Sequence, residues 1–401
     1  MMAGAVRYVL AENDRTGVVA ELDPVQVACL RGTGLVKARP QGPGTVRLLP
    51  ARRVGAVHIG DVDVVVTPKV SIARLLFMLG YAANPGFRPE NVDGIEDEDL
   101  WPAVAETLCR HTERALAGGV LLGYVTEEDA STVLRGRVRV GDQIARRHGI
   151  PLPLEITYDE YSVDTPENQL LRAALRRMLA VPRVSAGLRA RLRHLDGRLD
   201  GVSSLIPNAS LPQWRSDRLN ARYHSALRLA KLVLNTSSFE VGLGGLPVAA
   251  FVVDMAVVFE NFVTVALREA WASRPGATIG QYATTLDTDS VVTMNVDVVH
   301  AVDGVPQIIV DAKYKLEDKR GRYPNHDHYQ MLAYCTALNV DAAWLVYASG
   351  TSANTPRRIR NSSITITEYP LDLDVRPQQL LGQIDHLATT AWSSLGLARG
   401  R

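Results

Sequence analysis

Two aspartates and a lysine stand out in the segment VTMNVDVVHAVDGVPQIIVDAKYK, residues 292–315, against an almost unbroken run of apolar and β-branched residues. The pattern predicts a strand around Ser290 to His300 that carries Asp297. A turn follows at Asp303-Gly304, then a strand around Gln307 to Leu316 that carries Asp311 and Lys313. Side chains alternate along a strand, so Asp311 and Lys313 share a face. Folding the two strands as a hairpin sets Asp297 beside Asp311. A flush two-residue turn would instead pair residue 297 with residue 310 and send the aspartates to opposite faces. Their convergence therefore requires a three-residue loop or a bulged strand.

Carboxylates this close repel each other, and a buried pair needs a cation between them. Mg²⁺ (or Mn²⁺) fits that need, taking oxygen ligands while keeping waters for a phosphate. Asp297 and Asp311 would ligate it, with the backbone carbonyl of Ala312 as a further oxygen. Lys313 is placed to position or help deprotonate a water and to stabilise charge building on a phosphate. This is the chemistry of a phosphodiester hydrolase. Asp297 lies in an otherwise apolar strand, where an unpaired carboxylate is costly. Glu260 sits between the core-type residues Phe259 and Phe262 and is a further candidate ligand. Gln330 and Tyr334 are spaced i and i+4, so one face of a helix from about His326 to Leu338 carries both. Lys315, Lys319, Arg320 and Arg322 form a basic run placed to guide a DNA backbone towards the site.

The elements that must hold these residues form a helix from about Met255 to Trp271, the hairpin, the helix ending at Leu338 and the apolar strand AAWLVYA. That order predicts an α/β sheet with helices on its faces over residues 241–401. Residues 1–90 read as a strand-rich domain closing on a helix from Ser71 to Ala83, with Ser71 as N-cap. Residues 91–240 read as mainly helical, interrupted by strands at TVLRGRVRV and LPLEITYDEYS. Net charge is +4 over residues 1–90, zero over 91–240 and −3 over 241–401. The arginines between Arg172 and Arg198 read as the solvated outer face of helices, with a DNA-facing surface as the alternative. Arg52, Arg53 and Lys69 are basic candidates for partner contact that read first as solvated surface.

With 401 residues, 46% hydrophobic and 22% charged, the chain has a globular composition and more length than one core usually fills. Charges at Arg7, Glu12 and Asp14 argue against a secretory signal. Asp254 interrupts the longest apolar stretch, Leu246 to Phe259, which is too short to cross a bilayer. Cys29, Cys109 and Cys335 form no CxxC pair, so a reducing cytoplasm is expected.

Asn295-Val296-Asp297 and Asp311-Ala312-Lys313 resemble the two halves of the PD-(D/E)xK nuclease motif, and Gln330 with Tyr334 resembles the QxxxY element of its RecB-like branch. Further stretches, TPKVSIARLLFMLGYA, LRGRVRV, YDEYSVDTPENQLLRAAL, RYHSALRLAKLVL and DMAVVFENFV, are similar to the McrC family over roughly residues 60–345. The resemblance implies a restriction-endonuclease-like C-terminal domain and catalytic roles for Asp297, Asp311, Lys313, Glu260, Gln330 and Tyr334. It also implies a McrB-type AAA+ GTPase hexamer as partner, engaged through the N-terminal portion, with GTP bound by that partner and double-stranded DNA as substrate. The chain has no GxxxxGK[ST] loop of its own. A non-catalytic bridging protein that only activates the GTPase is the competing reading.

Overall fold

The computed structural model describes residues 6–83, 85, 100–148, 150–181, 184–206, 210–241, 247–315, 325–348 and 354–398. Two compact units emerge, Met1–Leu100 with Thr236–Arg401, and Trp101–Asn235. The segments read from sequence as the first and third regions thus belong to one unit.

The N-terminal segment runs β1 (Val6–Ala11), β2 (Val18–Glu21), α1 (Pro24–Thr33), β3 (Val36–Gly42), β4 (Thr45–Pro50), β5 (Arg53–Ile59), β6 (Val62–Thr67) and α2 (Ile72–Ala83). Ser71 caps α2 as expected, its Oγ accepting from the Arg74 N–H at 3.2 Å. The second unit holds α3 (Leu100–Leu116), β7 (Gly123–Ser131), β8 (Arg137–Val138), α4 (Val140–Arg147), β9 (Leu154–Ser162), α5 (Pro166–Leu179), α6 (Ala186–Arg198) and α7 (His224–Thr236). It is mainly helical around a small antiparallel sheet ordered β7-β9-β8. The expected strand at TVLRGRVRV shrinks to Arg137–Val138, because Gly136 turns the chain at φ +68° where extended pairing would have to begin.

The remaining chain contributes β10 (Ser237–Val241), β11 (Pro247–Asp254), α8 (Met255–Ala270), β12 (Ala277–Thr285), β13 (Thr293–Val302), β14 (Val305–Lys313), α9 (Asn325–Leu338), β15 (Ala342–Tyr347), β16 (Thr355–Arg358), β17 (Thr365–Pro370) and α10 (Pro377–Ala398). The apolar run PVAAFVVD is a strand, and it pairs antiparallel with β5, from Val248 opposite Ile59 to Asp254 opposite Arg53. It lies inside the sheet β1-β6-β5-β11-β10, which joins the first and last thirds of the sequence. Asp254 then ends the strand and opens α8, its carboxylate accepting from the Ala256 N–H at 2.9 Å.

The sheet that carries the candidate site has the order β12-β13-β14-β15-β17-β16. Its first three strands are antiparallel, and β14, β15 and β17 run parallel, with α9 as the crossover between β14 and β15. Asp303 at φ 53° and Gly304 at φ 77° form a two-residue turn of the left-handed kind suited to twisted hairpins. From Val302 opposite Val305 and Ala301 opposite Pro306, the register shifts by one residue to His300 opposite Ile308. This is the bulge that a two-residue turn demands. β14 uses Gln307 as the extra residue, and one step beyond the last ladder pair, Val298 with Val310, Asp297 comes to lie across from Asp311. Beneath them Val299, Ile309, Leu345 and Tyr347 of the sheet pack with Met331, Tyr334 and Cys335 of α9 in one buried cluster.

Gly55, at φ +141°, lets β5 approach β11, since a Cβ there would overlap the carbonyl oxygen of Phe251. Gly55→Ala is expected to cost at least ~2 kcal/mol by forcing these strands apart. Denaturant unfolding measures it, and an unchanged midpoint would contradict this account of the shared sheet.

Candidate active site

Asp311 is fully buried and Asp297 is 8% exposed. Neither carboxylate oxygen of Asp311 accepts a well-directed hydrogen bond from the described residues. Its one close ionic contact among the described residues is Lys313 Nζ, 2.7 Å from Oδ2, and that side chain is itself largely covered. Asp297 is held differently, its Oδ2 accepting the Ala312 N–H at 2.9 Å. Lys313 turns its carbonyl towards β15, where the Ala348 N–H donates to it at 3.1 Å. Successive residues of a strand alternate the direction of their peptide groups, so Ala312 points its N–H and carbonyl the other way, towards Asp297.

Electrostatics follow from this burial. Desolvation, reinforced by the Asp297 charge, pushes the Asp311 acid up to about 7 against the pull of Lys313. Desolvation also raises Asp297, opposed by the Ala312 N–H and Lys313. Burial alone would lower Lys313, but the charges of Asp311, Asp297 and Asp327 outweigh it and hold the ammonium protonated. A buried carboxylate short of donors, beside a second carboxylate, has the oxygen chemistry a hard divalent cation takes. Asp311's orphaned oxygens fit such an ion.

Glu260, on α8, is half-buried and raised by desolvation and by the Asp297 charge. Gln281 of β12 links the two, its amide Nε2 donating to Glu260 Oε1 and lying 3.5 Å from Asp297 Oδ1. Among the described residues no group of three or more His, Cys, Asp or Glu side chains is disposed to hold a metal ion. Glu260 therefore borders the aspartate pair through Gln281 in this arrangement. Gln330 and Tyr334 form a relay on α9: the Gln330 amide donates to Tyr334 Oη at 2.6 Å, and that hydroxyl donates to the Asn295 carbonyl at 2.8 Å. The relay grips β13 two residues before Asp297. Burial and the Asp311 charge raise the Tyr334 phenol, which stays a donor.

The basic run is less open than its sequence suggests. Lys315 Nζ sits 2.7 Å from Asp327 Oδ1 and 2.9 Å from His326 Nε2. Asp327 is fully buried and also accepts the Tyr347 hydroxyl at 3.1 Å. Lys319, Arg320 and Arg322 lie outside the described residues. Lys69 stacks over the Tyr314 ring, 5.6 Å from its centroid. Sequence reasoning missed Gln281, whose one signal was Gly280 inside a strand, a mark of irregular pairing or close approach. A Cβ on Gly280 would stand 2.8 Å from Thr264 Cγ2 of α8.

The chain is thus a mixed α/β protein whose six-stranded sheet sets two carboxylates and a lysine at the end of a bulged hairpin. Residues 49–348 match the family model described as McrBC 5-methylcytosine restriction system component, and the chain belongs to that McrBC family. Its fold is similar to a structure from Thermococcus gammatolerans, a refined half-complex from a tetradecameric assembly of McrB AAA+ hexamers with bound McrC. That likeness has 16% identity, a TM-score of 0.59, and covers 95% of this chain and 99% of that one. A cryo-EM structure of the McrBC complex from the same organism matches at 18% identity and a TM-score of 0.40, over 65% of this chain and 74% of that one. No curated protein matches the chain. No helix among the described residues is long and apolar enough to cross a membrane.

The raised Asp311 acid sets the sign of a pH effect. Its folded value lies above the ordinary carboxylate value of 3.8, so the folded state binds the proton more tightly than the unfolded chain does. The stabilisation is complete below the unfolded value and is lost as pH rises through about 7. Without divalent ions, the melting temperature should fall between about pH 5 and about pH 8, and Asp311→Asn should flatten that slope. Thermal melts in a chelator check it, and identical slopes in the two proteins would contradict it.

Proposed function

We propose that this chain is the DNA endonuclease subunit of a McrBC-like, GTP-dependent restriction complex directed at modified cytosine. The observation that carries the reading is the buried Asp311, which faces Lys313 beside Asp297 and whose oxygens accept no well-directed hydrogen bond from the described residues. A protein that only bridged its partners would have no use for this costly arrangement. Family membership supports a role in restriction. The solved structure of similar fold, with McrB AAA+ hexamers and bound McrC, supports a McrB-type hexamer as the partner, and in this reading GTP is bound there.

In this reading Asp297, Asp311 and the Ala312 carbonyl hold Mg²⁺ or Mn²⁺. When bound, the ion supplies a water of lowered pKa and positive charge next to the phosphate. Lys313, kept charged by its acidic neighbours, donates to the attacking water or the phosphate instead of taking a proton. Gln330 and Tyr334 fix the strand that carries Asp297. Glu260 borders the pair from α8 and orients it through Gln281. Double-stranded DNA is the substrate. Lys315, though paired with Asp327, remains about a third exposed, and in the sequence it opens the basic run with Lys319, Arg320 and Arg322 that would guide the DNA backbone. Cys29, Cys109 and Cys335 are all free, which supports a cytoplasmic site of action.

Asp311→Ala, assayed with the McrB-type partner, GTP, Mg²⁺ and methylated plasmid, should lower cleavage by at least ~100-fold while leaving stimulation of the partner's GTPase nearly unchanged. Undiminished cleavage by the variant would refute the nuclease assignment. Wild-type protein that stimulates GTP hydrolysis and never cuts would favour the bridging reading.

A further inference from the structure

Gln281 occupies a backbone conformation that its residue type does not favour. It lies in the middle of β12, yet its φ is +50°, in the left-handed region. Glycine adopts that region freely and asparagine more readily than glutamine. The neighbouring Gly280 does not take the turn. The ladder between β12 and β13 shows where the distortion falls. Gly280 pairs with Val298 and Tyr282 with Val296, while the position between them, Gln281 facing Asp297, is omitted. The left-handed residue therefore stands directly across from a carboxylate of the candidate active site.

The side chain explains what the distortion accomplishes. It directs the amide Nε2 at Glu260 Oε1 and at Asp297 Oδ1, so one neutral group donates to two carboxylates that would otherwise face each other undamped. With the Ala312 N–H on Oδ2, both oxygens of Asp297 are held, one from each neighbouring strand. Local backbone strain of this kind persists where the surroundings enforce it, and it clusters at sites whose geometry matters.

We infer that Gln281 is a positioning residue of the nuclease site: its amide clamps Glu260 and Asp297 in the orientation that receives a divalent cation. The inference rests on the metal-dependent reading of Asp297 and Asp311. It assigns a function to a side chain of β12, a strand outside the sequence motif.

The experiment titrates the full-length chain with Mn²⁺ alone, followed by electron paramagnetic resonance, in the wild type, Gln281→Gly, Gln281→Asn and Asp311→Ala. Gln281→Gly relieves the backbone and removes the amide. Gln281→Asn keeps an amide and tolerates the conformation but falls a methylene short. Both should bind Mn²⁺ about 10- to 100-fold more weakly, the range typical of groups that orient metal ligands. At saturating Mn²⁺ the melting temperature of Gln281→Gly should be no lower than that of the wild type, an outcome a purely structural role would not produce. Wild-type affinity in both Gln281 variants would overturn the inference while leaving the metal site in place, and so would a lowered melting temperature in Gln281→Gly with affinity unchanged. Equal Mn²⁺ binding by the wild type and Asp311→Ala would overturn the metal site itself, and the Gln281 inference with it.

Discussion

Everything around the candidate site depends on burying two carboxylates next to each other. An ionised acid in the interior is costly unless it is paired and hydrogen-bonded, and among the described residues Asp311 has Lys313 as its one ionic partner with no well-directed donor. The surrounding elements divide the work of making this tolerable. Asp297 is steadied by a peptide N–H from β14 and by an amide from β12. Lys313 supplies charge, and the raised pKa values of Asp311 and Asp297 record chiefly their desolvation, to which the Asp297 charge adds at Asp311. This arrangement is the basis for the proposed cation site.

The bulge in β14 follows from the same constraint. The Asp-Gly turn selects a two-residue connection whose flush register would separate the aspartates, so one extra residue must enter β14 before residue 308. Turn chemistry and site chemistry thus pull in opposite directions, and the strand yields at the position where it costs least, close to the solvent end of the hairpin. Beyond the bulge Val298, Val299, Ile308, Ile309 and Val310 are completely buried, so both faces of the hairpin are covered there.

Much of this was legible in sequence. Alternating apolar strands around Asp303-Gly304 located the hairpin, and simple counting showed that it had to bulge or lengthen its loop. The spacing of Gln330 and Tyr334 gave their shared helix face, and Ser71 announced its cap. What escaped was nonlocal or conformational. Nothing in PVAAFVVD says that its partner is a strand almost two hundred positions earlier, so the shared sheet of β5 and β11 was invisible. The role of Gln281 depends on a left-handed backbone that glutamine does not advertise. Lys315 read as a free basic group because its partner, Asp327, becomes buried only once α9 packs beside Tyr347.

The end of β14 shows why the first and last thirds of the chain must form one unit. Immediately after Lys313, Tyr314 packs against Phe259 of α8, with ring centroids 6.1 Å apart, and its hydroxyl donates to Glu12 at 3.1 Å. The same Glu12 oxygen accepts the Lys69 N–H at 3.2 Å, while the Lys69 ammonium lies over the Tyr314 ring. Arg74 of α2 donates to the Leu373 carbonyl at 2.9 Å, tying the N-terminal segment to the loop after β17 as well. A lysine one residue from such an anchor cannot wander from its carboxylate without disturbing contacts that begin at residue 12. The N-terminal sheet therefore does more than precede the catalytic candidate in sequence: it fixes the strand end from which Lys313 reaches Asp311.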